Sequence, residues 1–260
     1  MNIRLLLPKC RHSRGRYYCK DAYDYDERMD MLQKAFDTPF FLETSSNINL
    51  VITSNNFFSF PASYLAEKEH YINEFLIQRI NSLTNKKNLI IGFDLKNPRI
   101  IFNPYGGISS IVVSLKTNKR NEFEIERSIW ECWNGCDANC FSSQNRIVNS
   151  QNNSICLLSC GDILFNCNNQ FKKLKMSKVK ILVDLAHRNI SQNLLRVWSK
   201  ITYRIHHQNI ADVLIITQQF SNSSNIFNAN SYRLLWHNNL HSFRQNIVRK
   251  NEYSLVDISI

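Results

Sequence analysis

Glycine and proline are scarce in this chain, which has 6 Gly and 5 Pro in 260 residues. That scarcity excludes a glycine- or proline-rich linker, so the sequence predicts a single domain over residues 1–260. No apolar run is long enough for a membrane helix, and the first one, interrupted by Pro8, is too short for a signal peptide. We therefore expect a cytoplasmic protein whose eight cysteines are reduced.

Acidic residues are also fewer than basic ones. The chain has 21 Asp and Glu and 32 Lys and Arg, which gives a net charge of +11. The basic residues cluster at 116–120 and at 171–180, and in the second cluster Lys172, Lys173 and Lys175 follow one another closely. Such a cluster attracts phosphates or an acidic protein, and it predicts a nucleic-acid or acidic protein partner. A solvated helix face is the alternative, because no known nucleic-acid-binding motif accompanies the charge.

Two further patterns bear on metal chemistry. Cys132, Cys136 and Cys140 have a spacing of four, but the surrounding Gly and Asn favour a loop, and zinc sites normally use pairs of C-x-x-C. A second pattern, the alternating Glu122, Glu124 and Glu126, is compatible with a metal-dependent nuclease, although such alternation is common on solvated strands. We expect neither a metal nor a cofactor.

The order of elements predicts the fold class. Strand-like apolar runs form two sets of five: NIRLLLP, INLVITS, NLIIGFD, PRIIFN and SSIVVSL, then SICLLSC, KVKILVDLA, DVLIITQQ, YRLLWH and YSLVDISI. Helical periodicity separates the first three runs of each set, at 25–36, 63–83, 170–178 and 191–208. Two β-α-β-α-β-β-β halves predict an α/β protein with a four-layer αββα sandwich.

One of these runs ends on a nucleophile. In SICLLSCGDILF the apolar strand leads directly to Cys160, Gly161 and Asp162, a pattern that presents a thiol at the end of a sheet. The alternative is that Cys160 is a buried thiol of the core, since free Cys is among the most buried residue types.

The element order, the strand NSICLLSCGDI, the segment WSKITYRIHHQNIADVLIIT and the closing NEYSLVDISI resemble the nitrilase superfamily of carbon–nitrogen hydrolases. Cys160 and Asp162 match its nucleophile motif of Cys, an aromatic residue and an acid, with Gly161 in place of the aromatic residue. The resemblance implies an αββα sandwich and a catalytic Cys160. It also implies a Glu as general base and a Lys that stabilises the oxyanion.

The other two catalytic residues of the family are replaced here. The resemblance places the Glu at the end of the second strand, where this sequence has Ser54 and Asn55, and its spacing places the Lys at Arg127. Asn55 cannot accept a proton at neutral pH, whereas Arg127 could hold an oxyanion and lower the pKa of the thiol. Candidate substitute bases, each with an alternative as an ordinary surface or helix-face residue, are Glu43, Glu124, Glu126, His206 and His207.

Two functional hypotheses follow from the resemblance. The first is a thiol amidase-type enzyme that hydrolyses a small amide or nitrile, with Cys160 as nucleophile. The second is a catalytically lapsed nitrilase fold that serves as a scaffold for a protein or nucleic-acid partner. Because family members commonly pair through their helices, the resemblance also implies a homodimer.

Overall fold

The structure, a computed structural model, describes residues 1–10, 12–13, 19–20, 25–42, 47–55, 57–61, 68–96, 108–130, 145–159, 162, 179–185, 211–217, 220–221, 232–237 and 244–260. Its helices are α1 (Tyr25–Asp37), α2 (Lys68–Gln78) and a short 3₁₀ helix at Ile80–Ser82. Neither α1 nor α2 is long and apolar enough to cross a membrane. The strands are β1 (Asn2–Cys10), β2 (His12–Ser13), β3 (Cys19–Lys20), β4 (Leu50–Thr53), β5 (Phe58–Pro61), β6 (Asn88–Lys96), β7 (Ile108–Thr117), β8 (Phe123–Trp130), β9 (Ile147–Ser150), β10 (Asn153–Ser159), β11 (Ile181–Leu185), β12 (Val213–Thr217), β13 (Phe220–Ser221), β14 (Tyr232–His237), β15 (Arg244–Arg249) and β16 (Tyr253–Ser259).

The larger of two main sheets has nine described strands. Its order is β15-β16-β1-β4-β6-β7-β8, with β13 beside β1 and β5 beside β6. Strands β1, β4 and β6 are parallel, whereas β16, β7 and β8 add antiparallel strands at the flanks. The carboxyl ends of β4 and β6 therefore lie at the same edge of this sheet.

The second main sheet has five described strands in the order β14-β12-β11-β10-β9. Strands β10, β11 and β12 are parallel and mainly apolar, with the buried Asp184 in β11 as the one charged residue among them, as expected for strands buried on both faces. Strand β9 joins β10 through a two-residue turn in which Gln151 and Asn152 have φ of 47° and 62°. Asparagine enters this left-handed region more readily than most residues, and such turns suit tight hairpins. A separate ribbon pairs β2 with β3.

Two hydrophobic cores hold these layers together. One lies between the two sheets and combines Ile3, Leu5, Ile52 and Ile90 of the first sheet with Ile155, Leu157, Val183 and Ile215 of the second. The other packs Met31, Leu32, Phe36 and Leu76 of the helices against Val51, Ile91 and Val113 on the opposite face of the first sheet. The first sheet is thus covered on one face by helices and on the other by the second sheet.

This mixed α/β architecture with two sheets confirms the predicted fold class. Nine of the ten predicted strands are present, and the tenth, 98–103, lies outside the described residues. The helices predicted at 170–178 and 191–208 also lie outside them, so the fourth layer stays a prediction. The structure adds seven strands to the ten predicted runs, namely β2, β3, β5, β8, β9, β13 and β15. Of these, β8, β9 and β15 lie at sheet edges.

A buried ion pair joins the two ends of the chain to α1. Arg4 of β1 donates from Nε and Nη2 to the two carboxylate oxygens of Asp257 in β16, both at 2.6 Å, and both side chains are fully buried. The same guanidinium donates to the carbonyl oxygens of Ala35 and Thr38 at 2.9 and 2.5 Å. Arg4 therefore caps the carboxyl end of α1 with a positive charge, which the helix dipole favours.

Candidate functional site

Strand ends from both sheets converge on one buried polar layer. Strands β4, β10 and β12 all end on a hydroxyl residue, respectively Thr53, Ser159 and Thr217. Thr217 Oγ1 donates to the carbonyl oxygen of Thr53 at 2.8 Å, across the space between the sheets. All three residues are fully buried. The carboxyl ends of the parallel strands in the two sheets therefore face each other, directly beyond the inter-sheet core.

Asn55 belongs to this layer and contacts the strand that leads to Cys160. It follows β4 in a turn, is fully buried, and donates from Nδ2 to Ser159 Oγ at 3.1 Å. Ser159 immediately precedes Cys160, which lies outside the described residues together with Gly161. Asn55, the position that the nitrilase resemblance assigns to the base, therefore contacts Ser159, although the two residues are 104 positions apart in sequence.

Gly92 permits the close approach of the Asn55 turn to β6. A Cβ built on Gly92 would lie 2.1 Å from the carbonyl oxygen of Asn55 and 2.3 Å from its Cα, so any side chain here displaces that backbone. The amide of Gly92 also donates to Thr53 Oγ1 at 3.3 Å. Gly92 thus sets the position of Asn55 relative to the sheet.

Gly92→Ala is accordingly expected to lower the free energy of unfolding by about 3 kcal/mol, at the upper end of the range for overpacked cores, because the clash is with backbone. Urea denaturation measures the change. Ile91→Val, which removes one methylene from the neighbouring buried residue, serves as the control and should cost about 1 kcal/mol. An alanine variant as stable as the control would show that the turn moves away freely.

Asp162, the acid of the Cys-x-Asp motif, is held in a buried ion pair. Arg146 Nη1 donates to Asp162 Oδ2 at 2.6 Å, and the same oxygen accepts the backbone N–H of Ser159 at 2.9 Å. Arg146 precedes β9, and its Nη1 also donates to the carbonyl oxygen of Leu157 at 3.5 Å. These bonds tie together the residues on both sides of Cys160, so Asp162 has a positioning role rather than that of a base.

The structure places Arg127, the position that the resemblance assigns to the Lys, within a strand. Arg127 is three residues before the end of β8, where it pairs with Ser114, and Ser114 in turn pairs with Ile90 in β6. Its Nη1 donates to the carbonyl oxygen of Glu126 at 2.8 Å. A count along the sequence does not show the level of Arg127 in the sheet, because β8 continues for three residues beyond it. Arg127 is therefore not level with the Asn55 turn.

The structure excludes two of the substitute bases by their position. Glu124 is exposed and accepts from Asn118 Nδ2 at 2.9 Å near the start of β8, and Glu126 accepts from Ser114 Oγ at 3.2 Å within that strand. Glu43, His206 and His207 lie outside the described residues, as do Cys132, Cys136 and Cys140. Among the residues that the structure does describe, no cluster of His, Cys, Asp or Glu could hold a metal ion.

Cys156, four residues before Cys160, shows what a buried thiol looks like in this strand. It is fully buried, and burial is the main cause that raises its pKa to about 12. The positive charge of Arg146 lowers this pKa and the negative charge of Asp162 raises it, each less than burial does. Cys156 therefore carries almost no thiolate at neutral pH and is an unreactive member of the core.

Arg146 and the hydroxyl residues at the strand ends were missed by the sequence analysis. A signal for the latter was present, because VIT, LLS and IIT all pass from apolar residues to a hydroxyl at the same point of a strand. Arg146 had no such signal, since it stands in a polar stretch that resembles a surface loop. Its burial, with 3% of its surface exposed, results from the packing around Asp162.

No protein-family model matches the sequence, and a comparison with curated proteins finds no match either. Solved structures do match. Nit3 of Saccharomyces cerevisiae, a member of branch 10 of the nitrilase superfamily, is 9% identical over 98% of this chain and 89% of its own, with a TM-score of 0.53. A mutant of the Nesterenkonia AN1 amidase from the nitrilase superfamily is 11% identical over 100% of this chain and 90% of its own, with a TM-score of 0.52. This chain has the fold of the nitrilase superfamily.

Proposed function

We propose that this chain is a catalytically lapsed nitrilase-fold protein that binds a partner and does not turn over amides. The supporting observation is the contact between Asn55 and Ser159. Asn55 stands where the nitrilase resemblance expects the general base, and its amide touches the residue before Cys160. An amide accepts no proton at neutral pH, so the thiol lacks assistance that contributes about 10²–10⁴ in rate.

Asp162 cannot replace that base without cost to the fold. Its Oδ2 accepts from both Arg146 and the Ser159 amide, and its side chain is fully buried. Protonation of this carboxylate would weaken a charge-assisted hydrogen bond in a low-dielectric surrounding, where such bonds are strongest. The group therefore stabilises the segment around Cys160 in its ionised form and takes no part in proton transfer.

The second candidate function is a thiol hydrolase that acts on a small amide or nitrile with Cys160 as nucleophile. The anchoring of both Ser159 and Asp162 favours it, because a nucleophile needs fixed neighbours. This candidate requires a base from the part of the chain that the structure does not describe. Glu43, His206 and His207 are the residues to test in that case.

Labelling and acyl trapping distinguish the two functions. We expect iodoacetamide at pH 8 to modify Cys160 in the folded protein and to leave Cys156 unmodified, because burial raises the pKa of the Cys156 thiol to about 12. Peptide mass mapping separates these sites from the other cysteines. We further expect no acyl group on Cys160 after incubation with small amides.

A stable acyl adduct, or amide hydrolysis that Cys160→Ala abolishes, would support the hydrolase and refute the lapsed site. Absence of labelling at Cys160 until the protein unfolds would show that this thiol is core packing and would refute the hydrolase, because that function requires an accessible nucleophile. The partner remains a proposal in either case. Lys172, Lys173 and Lys175 lie outside the described residues, and the homodimer stays a prediction.

A further inference from the structure

We propose that a cationic surface at one end of the first sheet binds the phosphate backbone of duplex nucleic acid. The surface is formed by the loop before β6 and the hairpin between β7 and β8, and its cations are Lys86, Lys87, Lys116, Lys119 and Arg120. We call it the hairpin surface. It names a partner class for the binding role proposed above and so rests on that proposal.

Direct contacts bring the two segments of the hairpin surface together. Lys86 Nζ donates to the carbonyl oxygen of Asn121 at the turn of the hairpin, at 2.8 Å. The N–H of Thr117 donates to Asn88 Oδ1 at 3.1 Å. Strand register adds a third link, because Leu89 pairs with Leu115 and the residues just beyond them, Asn88 and Lys116, are opposite each other. The five cations therefore share one small region.

The positive charge of this region exceeds the negative charge around it. Of the five cations, none forms an ion pair with another described residue, and Lys116, Lys119 and Arg120 are exposed. The two carboxylates of the hairpin, Glu122 and Glu124, accept instead from Asn118 Nδ2, at 3.4 and 2.9 Å. One more acid, Asp37, accepts from Asn85 nearby at 2.8 Å. Five positive charges thus stand against three negative ones.

The chemistry of the hairpin surface fits a phosphate backbone better than unpaired bases. Single-stranded nucleic acid binds proteins largely through bases stacked on aromatic rings. The exposed large hydrophobic residues in the described part of the chain are Ile77 and Ile125, neither of them aromatic, and Phe123 at the hairpin is buried. Contacts of lysine and arginine with phosphates position a protein on a duplex and carry no sequence information. We therefore assign the surface to the backbone of a duplex.

The hairpin surface and the candidate active site lie at opposite ends of the strands of the first sheet. Lys87 directly precedes β6, and Lys116 is near the end of the antiparallel β7, whereas the Asn55 turn follows the carboxyl end of β4. Substitutions at the hairpin surface therefore leave the strand-end site in place. Failure of nucleic-acid binding and failure of the lapsed-site proposal can be observed separately, because amide turnover reports only the latter.

The test is fluorescence anisotropy with a labelled 30-base-pair DNA duplex, titrated over a range of salt concentrations. The variant is Lys116→Gln/Lys119→Gln/Arg120→Gln, whose three side chains make no hydrogen bond in the described part of the structure. The control is Lys34→Gln/Lys180→Gln/Lys250→Gln, which removes three exposed charges outside the hairpin surface, one on α1, one before β11 and one after β15. Of these three, Lys34 is paired with Asp30. Equal melting temperatures verify that both proteins fold.

We expect the slope of log Kobs against log salt to be smaller in magnitude by about 2 to 3 for the hairpin variant. Each lost phosphate contact lowers the magnitude of this slope by about 0.9. The control should flatten it by less than 1. Equal effects of the two variants would overturn the proposal, because net charge alone would then explain binding. Two results with the wild-type protein would also overturn the proposal. These are no binding to the duplex at low salt and tighter binding to the corresponding single strand.

Discussion

Replacement of Asp162 by alanine is expected to lower the free energy of unfolding by about 3–5 kcal/mol, the typical cost of breaking a buried ion pair from one side. The change leaves the guanidinium of Arg146, which is 2% exposed, without the carboxylate 2.6 Å away. It also removes the acceptor of the Ser159 N–H, so the segment around Cys160 loses an anchor. Urea denaturation followed by circular dichroism measures the loss.

An exposed ion pair of similar length provides the matched control. Lys34 and Asp30 are 2.5 Å apart on α1, but their side chains are 51% and 58% exposed. Asp30→Ala should therefore cost only about 0.3–0.5 kcal/mol, as is typical of surface pairs four residues apart in a helix. The comparison isolates burial, since the two distances differ by only 0.1 Å.

The double variant Arg146→Met/Asp162→Leu separates the cost of an unpaired charge from the value of the pair. Removing both charges leaves no buried ion, so most of the lost stability should return. If Asp162→Ala costs no more than Asp30→Ala, the segment around Cys160 is not held by this pair, and Asp162 has no positioning role.

Asn55→Glu is expected to raise the rate of Cys160-dependent ester and amide hydrolysis by about 10²–10⁴, the usual contribution of a general base. The substitution places a carboxylate where the structure now has an amide that contacts Ser159 Oγ. Burial of that position raises the pKa of the introduced carboxyl group toward neutrality, which favours a base at working pH. Initial rates with an activated ester and a small primary amide measure the gain.

Two controls restrict the interpretation of that gain. Asn55→Gln has the same size as the glutamate variant but no proton-accepting carboxylate, so it should show no increase. Cys160→Ala in the Asn55→Glu background should abolish the gain if the thiol is the nucleophile. A gain that survives this change would point to another nucleophile, whereas wild-type hydrolysis at the rate of the glutamate variant would refute the lapsed site.

The interior strands could be predicted from sequence because the apolar character of their own residues indicates burial. Strands such as β4, β11 and β12 have neighbours on both sides and buried residues throughout, so they appear as mainly apolar runs. The edge strands β8, β9 and β15 lacked this signal. In β8, Glu124 and Ser128 are exposed while Ile129 is buried, a mixture that also fits a solvated loop.

The candidate active site was predictable only in part. The apolar strand before Cys160 and the end of β4 at Asn55 could be located because each follows a run that the pattern identifies. Arg127 could not be placed by counting, since the count does not show whether a residue lies inside a strand or beyond its end. The length and register of β8 decided that point, and the residue opposite Arg127 is Ser114.

By itself, the sequence determined the buried strands, the α/β class and the position of Cys160 after one of those strands, because each depends on the polarity of neighbouring residues. The tertiary structure alone decided which polar groups meet. Asn55 and Ser159 are 104 residues apart, and Arg4 and Asp257 are 253 apart, yet both pairs are in hydrogen-bond contact. Local polarity predicts only that a residue is buried or exposed. The partner of a buried polar group depends on how the two sheets and the helices pack, and that packing joins distant parts of the chain.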